Sequence, residues 1–382
     1  MTSPVGMKGY SALRSAAEAA LVLAVGMGIG RFAFTAVFPH MVEEGTLSLQ
    51  GASLAASANY AGYLVGALMA VRMRAHNAHR ICLWSVIGTA VCLALLALAV
   101  PTSVVVAVRG VAGLFSALSI VAASLWLLEH RGHSKGAPLL YAGVGLGIAL
   151  SAELLVLVAH LGLHSPAMWL VLAVVALVIG LAAAPGLVNS GPRTQSAAAR
   201  PDAPLPASVA AWPLVTMYGL AGLGYIVTAT YLPLLVHTAL PDLDPAHVWA
   251  VFGLGAAPSC FLWHRLHERL GTRRALQLNL MVQAIGVALP ALFQSSGSYV
   301  LSALLVGGTF TGTVTIAMPA AQRVARKTGK NLVASMTLAY GVGQIAGPVM
   351  AESLRAHSGT FSSSLLAASG ALIIAVVLSL RL

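Results

Sequence analysis

Apolar runs of about 20 residues, separated by short polar or basic stretches, recur along the whole 382-residue chain. Twelve such runs cover about 17–41, 51–71, 81–100, 102–128, 138–160, 167–187, 211–239, 246–263, 275–294, 298–320, 331–352 and 363–380. A helix rising ~1.5 Å per residue needs about 20 apolar residues to cross a hydrocarbon layer of ~30 Å. Backbone in lipid must satisfy its own hydrogen bonds, and these runs are too long and too continuously apolar for the alternating strands of a barrel. The pattern therefore predicts an all-α membrane protein of twelve transmembrane helices. The stretch 188–210, VNSGPRTQSAAARPDAPLPASVA, breaks it and predicts a linker between an N-terminal six-helix bundle (1–187) and a C-terminal one (211–382).

Composition agrees. Hydrophobic residues make up 58% of the chain and charged residues 8%, against about 25% charged in an ordinary soluble domain, and the mean hydropathy is +0.88. A soluble enzyme, a secreted disulfide scaffold and a disordered chain are excluded. The net charge of +11 would suggest nucleic acid in a soluble protein. Here placement explains it, because eighteen of the 21 Lys and Arg residues fall in loops on one side or at the termini. Only Arg355 lies on the other side, and Arg31 and Arg109 lie within runs. Cytoplasmic loops retain basic residues, so both termini and the linker are expected in the cytoplasm, with the lipid bilayer and not nucleic acid as the macroscopic partner. Lys8 and Arg14 precede a first run that outlasts a signal-peptide core and lacks a clear cleavage site, so it is expected to be retained. Cys82, Cys92 and Cys260 fall in apolar runs and read as small core residues, with no disulfide framework and no metal spacing. No catalytic or nucleotide-binding constellation is found; GVGLG at Gly143 follows no strand, and TGK at Thr328 lacks the upstream glycine. No cofactor is expected.

The two halves repeat each other. GMGIGRFAFTAVFP in the first run matches AGLGYIVTATYLP in the seventh, with Gly28, Gly30 and Pro39 facing Gly222, Gly224 and Pro233 at an offset of 194. GVG at Gly143 recurs at Gly341 with an offset of 198, and Gly113 matches Gly312 with an offset of 199. Six helices per repeat leave both halves in the same orientation, a parallel repeat of the kind found in secondary transporters.

On these residues the chain resembles the major facilitator superfamily over essentially its whole length. HERLGTRRAL after the eighth run is similar to that superfamily's D-R-x-G-R-R loop, with Glu268, Arg269, Gly271, Arg273 and Arg274 in matching places, whereas RMRAHNAHR after the second lacks the acid and the glycine. Arg109 with Gly113 resembles the R-x-x-x-G motif, and Gly343, Gly347 and Pro348 resemble G-x-x-x-G-P. GIGRFAFT, ASANYAGYLVGAL, YAGVGLGIALS and GLGYIVTATYLP resemble the YbfB/YjiJ-like branch. The resemblance implies a transporter of the bacterial inner membrane, coupled to an ion gradient, that moves a small solute by alternating access. It also implies that the loop residues Glu268 to Arg274 gate the inner mouth. Proton-linked efflux of amphipathic compounds competes with import of a small organic anion, with protons as a candidate coupling ion; a membrane sensor or enzyme lacks any supporting motif.

The candidate solute or coupling residues follow from the cost of burying charge in hydrocarbon. Arg31 and Glu153 lie roughly 21–22 Å along their helices from the cytoplasmic end, and Arg109 about 10 Å from the outer end of its own. The three share a layer, so Glu153 is expected to pair with one arginine, leaving one positive charge either for a solute or for helix packing. Asn59 and Tyr60 add polar groups at that depth. In the second half Tyr225 stands for Arg31 and Gly308 for Arg109, and Thr228, Thr230, Gln344 and the row Thr309, Thr311, Thr313, Thr315 supply neutral polar groups. Most of these threonines are expected to bond back to their own helix. A cationic wall facing a neutral polar one suits a small amphipathic anion. The glycine pairs Gly26/Gly30, Gly62/Gly66, Gly143/Gly147 and Gly343/Gly347 are four apart, which lets helix backbones approach closely.

Overall fold

In a computed structural model, which describes residues 4–188, 211–240, 244–328 and 332–382, all twelve expected crossings are helical. The first crossing is composite: α1 (Pro4–Leu23) runs into a π-helical segment (Ala24–Phe32), then α2 (Phe34–Glu43). There follow α3 (Leu49–Ala70), α4 (Ala78–Leu96), α5 (Thr102–Ser124), α6 (Ala137–His160) and α7 (Ser165–Val188). The second half comprises α8 (Ala211–Ala239), α9 (Pro245–Leu292), α10 (Ser296–Thr328), α11 (Leu332–Ser358) and α12 (Ser362–Ser379). Of the expected linker 188–210, Val188 is the last residue of α7 and 189–210 lie outside the described residues.

At 48 residues α9 is two crossings joined at Gly271, whose φ of 75° and ψ of 170° break the helix between them. That backbone is the left-handed region that only glycine enters readily, and a methyl there would meet nothing within 4 Å. The glycine in HERLGTRRAL is thus required by its backbone angle and not by crowding.

Elsewhere glycine serves contact. A methyl at Gly62 would overlap the Gly110 carbonyl, and one at Gly113 the Asn59 carbonyl, so α3 and α5 cross nearly backbone to backbone. Gly143 and Gly147 of α6 meet the Ala20 and Ala24 carbonyls of the first crossing, and Gly343 of α11 meets the Gly219 carbonyl of α8 in the corresponding pairing of the second half. Lipid gives helices no hydrophobic reason to associate, so this close approach is what lets dispersion hold them together.

The repeat is visible in hydrogen bonds. Asn59 Nδ2 donates to the Arg109 carbonyl at 2.9 Å, and Trp263 Nε1 donates to the Gly308 carbonyl at 2.6 Å, the matching position of the second half. Where the halves meet, Thr35 Oγ1 donates to the carbonyl of Ala229, its own counterpart 194 residues on, at 2.8 Å. Contact between equivalent positions is what a two-fold axis running between the first crossing and α8 requires.

Across this axis α3 lies along α11 and α6 along α9. Among the described residues nine helices are apolar and long enough to cross a bilayer by composition, and α3 is not one of them. Ser53, Ser57, Asn59, Tyr60 and Tyr63 lower its apolar content, and α11 beside it carries Tyr340 and Gln344. Two helices that carry polar groups within the bundle thus pack along each other.

Candidate functional site

The site begins with the break in the first crossing. A π-helix shifts the hydrogen-bond ladder, and where it ends at Phe32 three successive carbonyls take donors from other helices. Arg109 Nη1 donates to the Gly30 carbonyl and Nη2 to the Arg31 carbonyl, each at 3.0 Å, and Trp249 Nε1 donates to the Phe32 carbonyl at 3.2 Å. Arg109 is buried, with its guanidinium 4.4 Å from the Phe34 ring centroid. In the second half α8 is continuous α-helix and Gly308 stands where Arg109 would be. The arginine occurs in the half whose helix is broken, and both of its Nη groups are spent on the break.

Arg31 differs. Its side chain is 3% exposed, and its Cζ lies 4.2 Å from the Tyr63 ring centroid, 5.0 Å from Tyr60 and 5.3 Å from Phe32. Three rings enclose the cation, an arrangement favourable to a guanidinium. Its Nε and Nη2 have no hydrogen-bond partner. These two nitrogens share one edge of the guanidinium, the edge that grips a carboxylate with two parallel bonds.

Glu153 is not the counter-ion. Its side chain is about half exposed and its Oε1 lies 3.0 Å from His247 Nδ1, at the start of α9. The reason is helical register: Gly143 and Gly147 turn toward the first crossing, while Gly145 meets Gly253 and Ala257 of α9, and Glu153, two turns beyond Gly145, continues that second face. The expected pairing of Glu153 with an arginine is thus corrected, and no carboxylate pairs with Arg31 or Arg109 among the described residues.

The opposite wall comes from α8 and α11. Tyr60 OH lies 3.0 Å from Thr230 Oγ1, joining the Arg31 cage to α8. Tyr225 is fully packed, stacked on Phe310 at 5.4 Å and on Tyr340 at 5.8 Å, and Gln344 Nε2 donates to its hydroxyl at 2.5 Å. Gln344 Oε1 and Thr228 Oγ1 are buried without a partner, as is Asn59 Oδ1. The threonine row behaves as expected: Thr309 and Thr315 bond back to their own helix, and Thr313 also reaches Asn279 Oδ1 at 2.6 Å. Glu352, near the end of α11, pairs with Arg355.

The end of the bundle opposite the termini is bridged between the halves. Glu43 reaches His237 at 3.3 Å, Ser53 reaches the Tyr231 hydroxyl at 2.7 Å, and the Glu153–His247 pair joins α6 to α9. At the other end Glu268, Arg269, Arg273 and Arg274 flank the Gly271 break and are exposed, with Glu268 3.4 Å from His264 on its own helix.

Of the residues singled out in the sequence, Arg31, Tyr60, Tyr225, Thr228 and Gln344 lie on the walls described here; Tyr63, Phe32 and Trp249, which join them there, were not singled out. Tyr63 was within reach, since it follows Tyr60 by three residues and so shares its face.

Twelve crossings in a parallel repeat, closed around a buried cation between the halves, define a membrane transporter of the major facilitator fold. The chain belongs to the family described as "Uncharacterised MFS-type transporter YbfB", whose model matches residues 23–380. Among solved structures it is similar to a bacterial homolog of the human lysosomal transporter Spinster in an inward-facing and occupied conformation, with a TM-score of 0.67 and 15% identity over 100% of this chain and 97% of that one. It is likewise similar to an aspartate-to-alanine mutant of the nucleoside transporter NupG, with a TM-score of 0.67 and 13% identity over 96% of this chain and 99% of that one. No curated protein sequence matches significantly.

Proposed function

We propose that the protein is a secondary active transporter that carries a small organic anion by alternating access, with the acid group of the solute held by Arg31. The observation that carries this reading is the unpartnered Nε–Nη2 edge of a guanidinium that is 3% exposed. A buried cation with two parallel donors free is costly unless something occupies them for part of the cycle, and a planar acid group is the complementary shape. Residues 1–187 and 211–382 are the two bodies that rock against each other, with 188–210 between them. The termini face the cytoplasm of a bacterium, as the loop charges favour, so the bridged end faces outward. Glu268, Arg269, Arg273 and Arg274 gate the inner mouth about Gly271, and an ion gradient drives the cycle. Arg109 positions the first crossing and does not touch solute; Asn59 supports it through its bond to the Arg109 carbonyl.

The test is a thermal-shift screen of the purified protein against carboxylates, phosphates and neutral analogues, since a solute that binds the folded state raises its apparent stability. A carboxylate should stabilise the wild type, Arg31→Lys should weaken that response at least about tenfold (~1.4 kcal/mol) because an ammonium lacks the planar fork, and Arg31→Ala should abolish it. An undiminished response in Arg31→Ala would overturn the reading.

A further inference from the structure

The loop after α3, RMRAHNAHR, lacks the acid of its counterpart in the second half, and the transport cycle described above makes no use of it. Beside it, at the end of the bundle that carries the termini, lies an open groove of about 470 Å³, within the roughly 300–1,000 Å³ of small-molecule sites. Its polar rim comes from the loop, as Arg72, Arg74 and His76, all exposed. No carboxylate pairs with any of the three among the described residues. Its apolar floor comes from three helices, as Met69 of α3, Ile81 of α4 and Leu118 of α5.

Helical register decides which way the groove faces. On α3, Tyr60 and Tyr63 turn inward to Arg31, and Val65 and Met69, about half a turn round the helix from them, are exposed. On α4 the exposed stripe Trp84, Ile87, Val91 and Leu95 runs back one turn to Ile81. On α5, Val104 and Val111 are exposed, and Leu118 follows seven residues on along the same face. Three outward apolar stripes converge on the groove, so it opens to the bilayer and not to the space between the halves. Trp84, 68% exposed, stands one turn from Ile81. Tryptophan gathers at the level of lipid head groups, and that sets the depth of the basic rim.

We infer that the groove holds an anionic phospholipid, with its phosphate on Arg72 and Arg74 and an acyl chain along Met69, Ile81 and Leu118. A guanidinium grips phosphate oxygens with parallel bonds, and basic pockets between transmembrane helices take acidic head groups. The lipid brings to this loop the negative charge that its counterpart has in Glu268. A zwitterionic lipid carries the same phosphate but adds an ammonium close to three basic side chains, and so binds less well.

The experiment counts adducts on the purified full-length protein by native mass spectrometry, at an ionic strength of about 0.15 M. The probes are palmitoyl-oleoyl phosphatidylglycerol, the phosphatidylcholine with the same chains, and glycerol 3-phosphate. Phosphatidylglycerol should bind at least about tenfold tighter than phosphatidylcholine, and glycerol 3-phosphate should neither bind measurably nor compete. Arg72→Gln with Arg74→Gln should bring phosphatidylglycerol down to the level of phosphatidylcholine. Arg193→Gln with Arg200→Gln, which removes the same charge from the expected linker, should leave it within about threefold. Leu118→Trp keeps every charge but fills the floor; it should also weaken phosphatidylglycerol at least about tenfold, and it serves if the arginine variant fails to fold. Equal binding of the two lipids would overturn the anionic class, and competition by glycerol 3-phosphate would make this a site for a soluble phosphate instead of a lipid. Undiminished binding in the Arg72 and Arg74 variant or in Leu118→Trp, or an equal loss in the linker variant, would overturn the groove as the site.

Discussion

Two arginines at similar depth are chemically alike in the sequence and opposite in the structure. Arg109 places both Nη groups on main-chain carbonyls, whereas Arg31 leaves one edge unpaired among three rings. Removing them should therefore change the unliganded protein in different directions. Arg109→Leu strands the carbonyls of Gly30 and Arg31 and should lower stability by about 2–4 kcal/mol, taking roughly 1–3 per lost buried bond with partial relaxation; Arg109→Lys should not restore it, because one ammonium cannot span two carbonyls as a fork does. Arg31→Leu keeps the apolar stem and deletes an unpaired buried charge, so its unfolding midpoint in detergent should be unchanged or higher. A fall for Arg31→Leu as large as that for Arg109→Leu would mean the two share a packing role. That both residues were special was legible from their charge in an apolar run. Which one was spoken for was not, because the π-helical break that consumes Arg109 is a matter of backbone register that composition does not reveal.

At the scale of elements, the twelve crossings were legible because lipid imposes a length and a hydropathy that soluble packing never enforces so uniformly. The break in α9 falls where a loop was expected between the eighth and ninth runs, at the glycine of HERLGTRRAL. Gly271→Ala asks an L-residue to hold a φ near 75°, which costs about 1–2 kcal/mol, and thermal unfolding of the detergent-solubilised variant should show a loss of that size. An unaltered midpoint would mean the two arms of α9 rejoin into one helix without cost. Glu153 marks where element-scale reasoning failed. Depth along α6 was estimated well enough to place it toward the end opposite the termini, but depth says nothing of azimuth, and a face shared with Gly145 sends the carboxylate to His247 instead of the first crossing.

At the scale of the whole molecule the repeat is the feature that sequence and structure share most fully. Offsets of 194 and 199 between matching residues reappear as a hydrogen bond between Thr35 and Ala229 and as the paired donors Asn59 and Trp263. Orientation can be checked on single-cysteine variants in whole cells: positions in 321–330 should label only after permeabilisation, and positions in 42–50 and 240–245 without it. Labelling in the reverse sense would invert the proposed direction of the gates. The bridges at the end opposite the termini carry a consequence for how often that end opens. Glu43 with His237, Glu153 with His247, Ser53 with Tyr231 and Thr35 with Ala229 all break together if the halves part there. At about 0.5–1.5 kcal/mol net for each hydrogen bond, and less for the exposed ion pairs, they sum to a few kcal/mol, and each ~1.4 kcal/mol shifts a population tenfold. A form open at the end opposite the termini is then a minor species of the resting protein, and a solute arriving from that side meets only that fraction, so its apparent affinity there is weakened by the same factor.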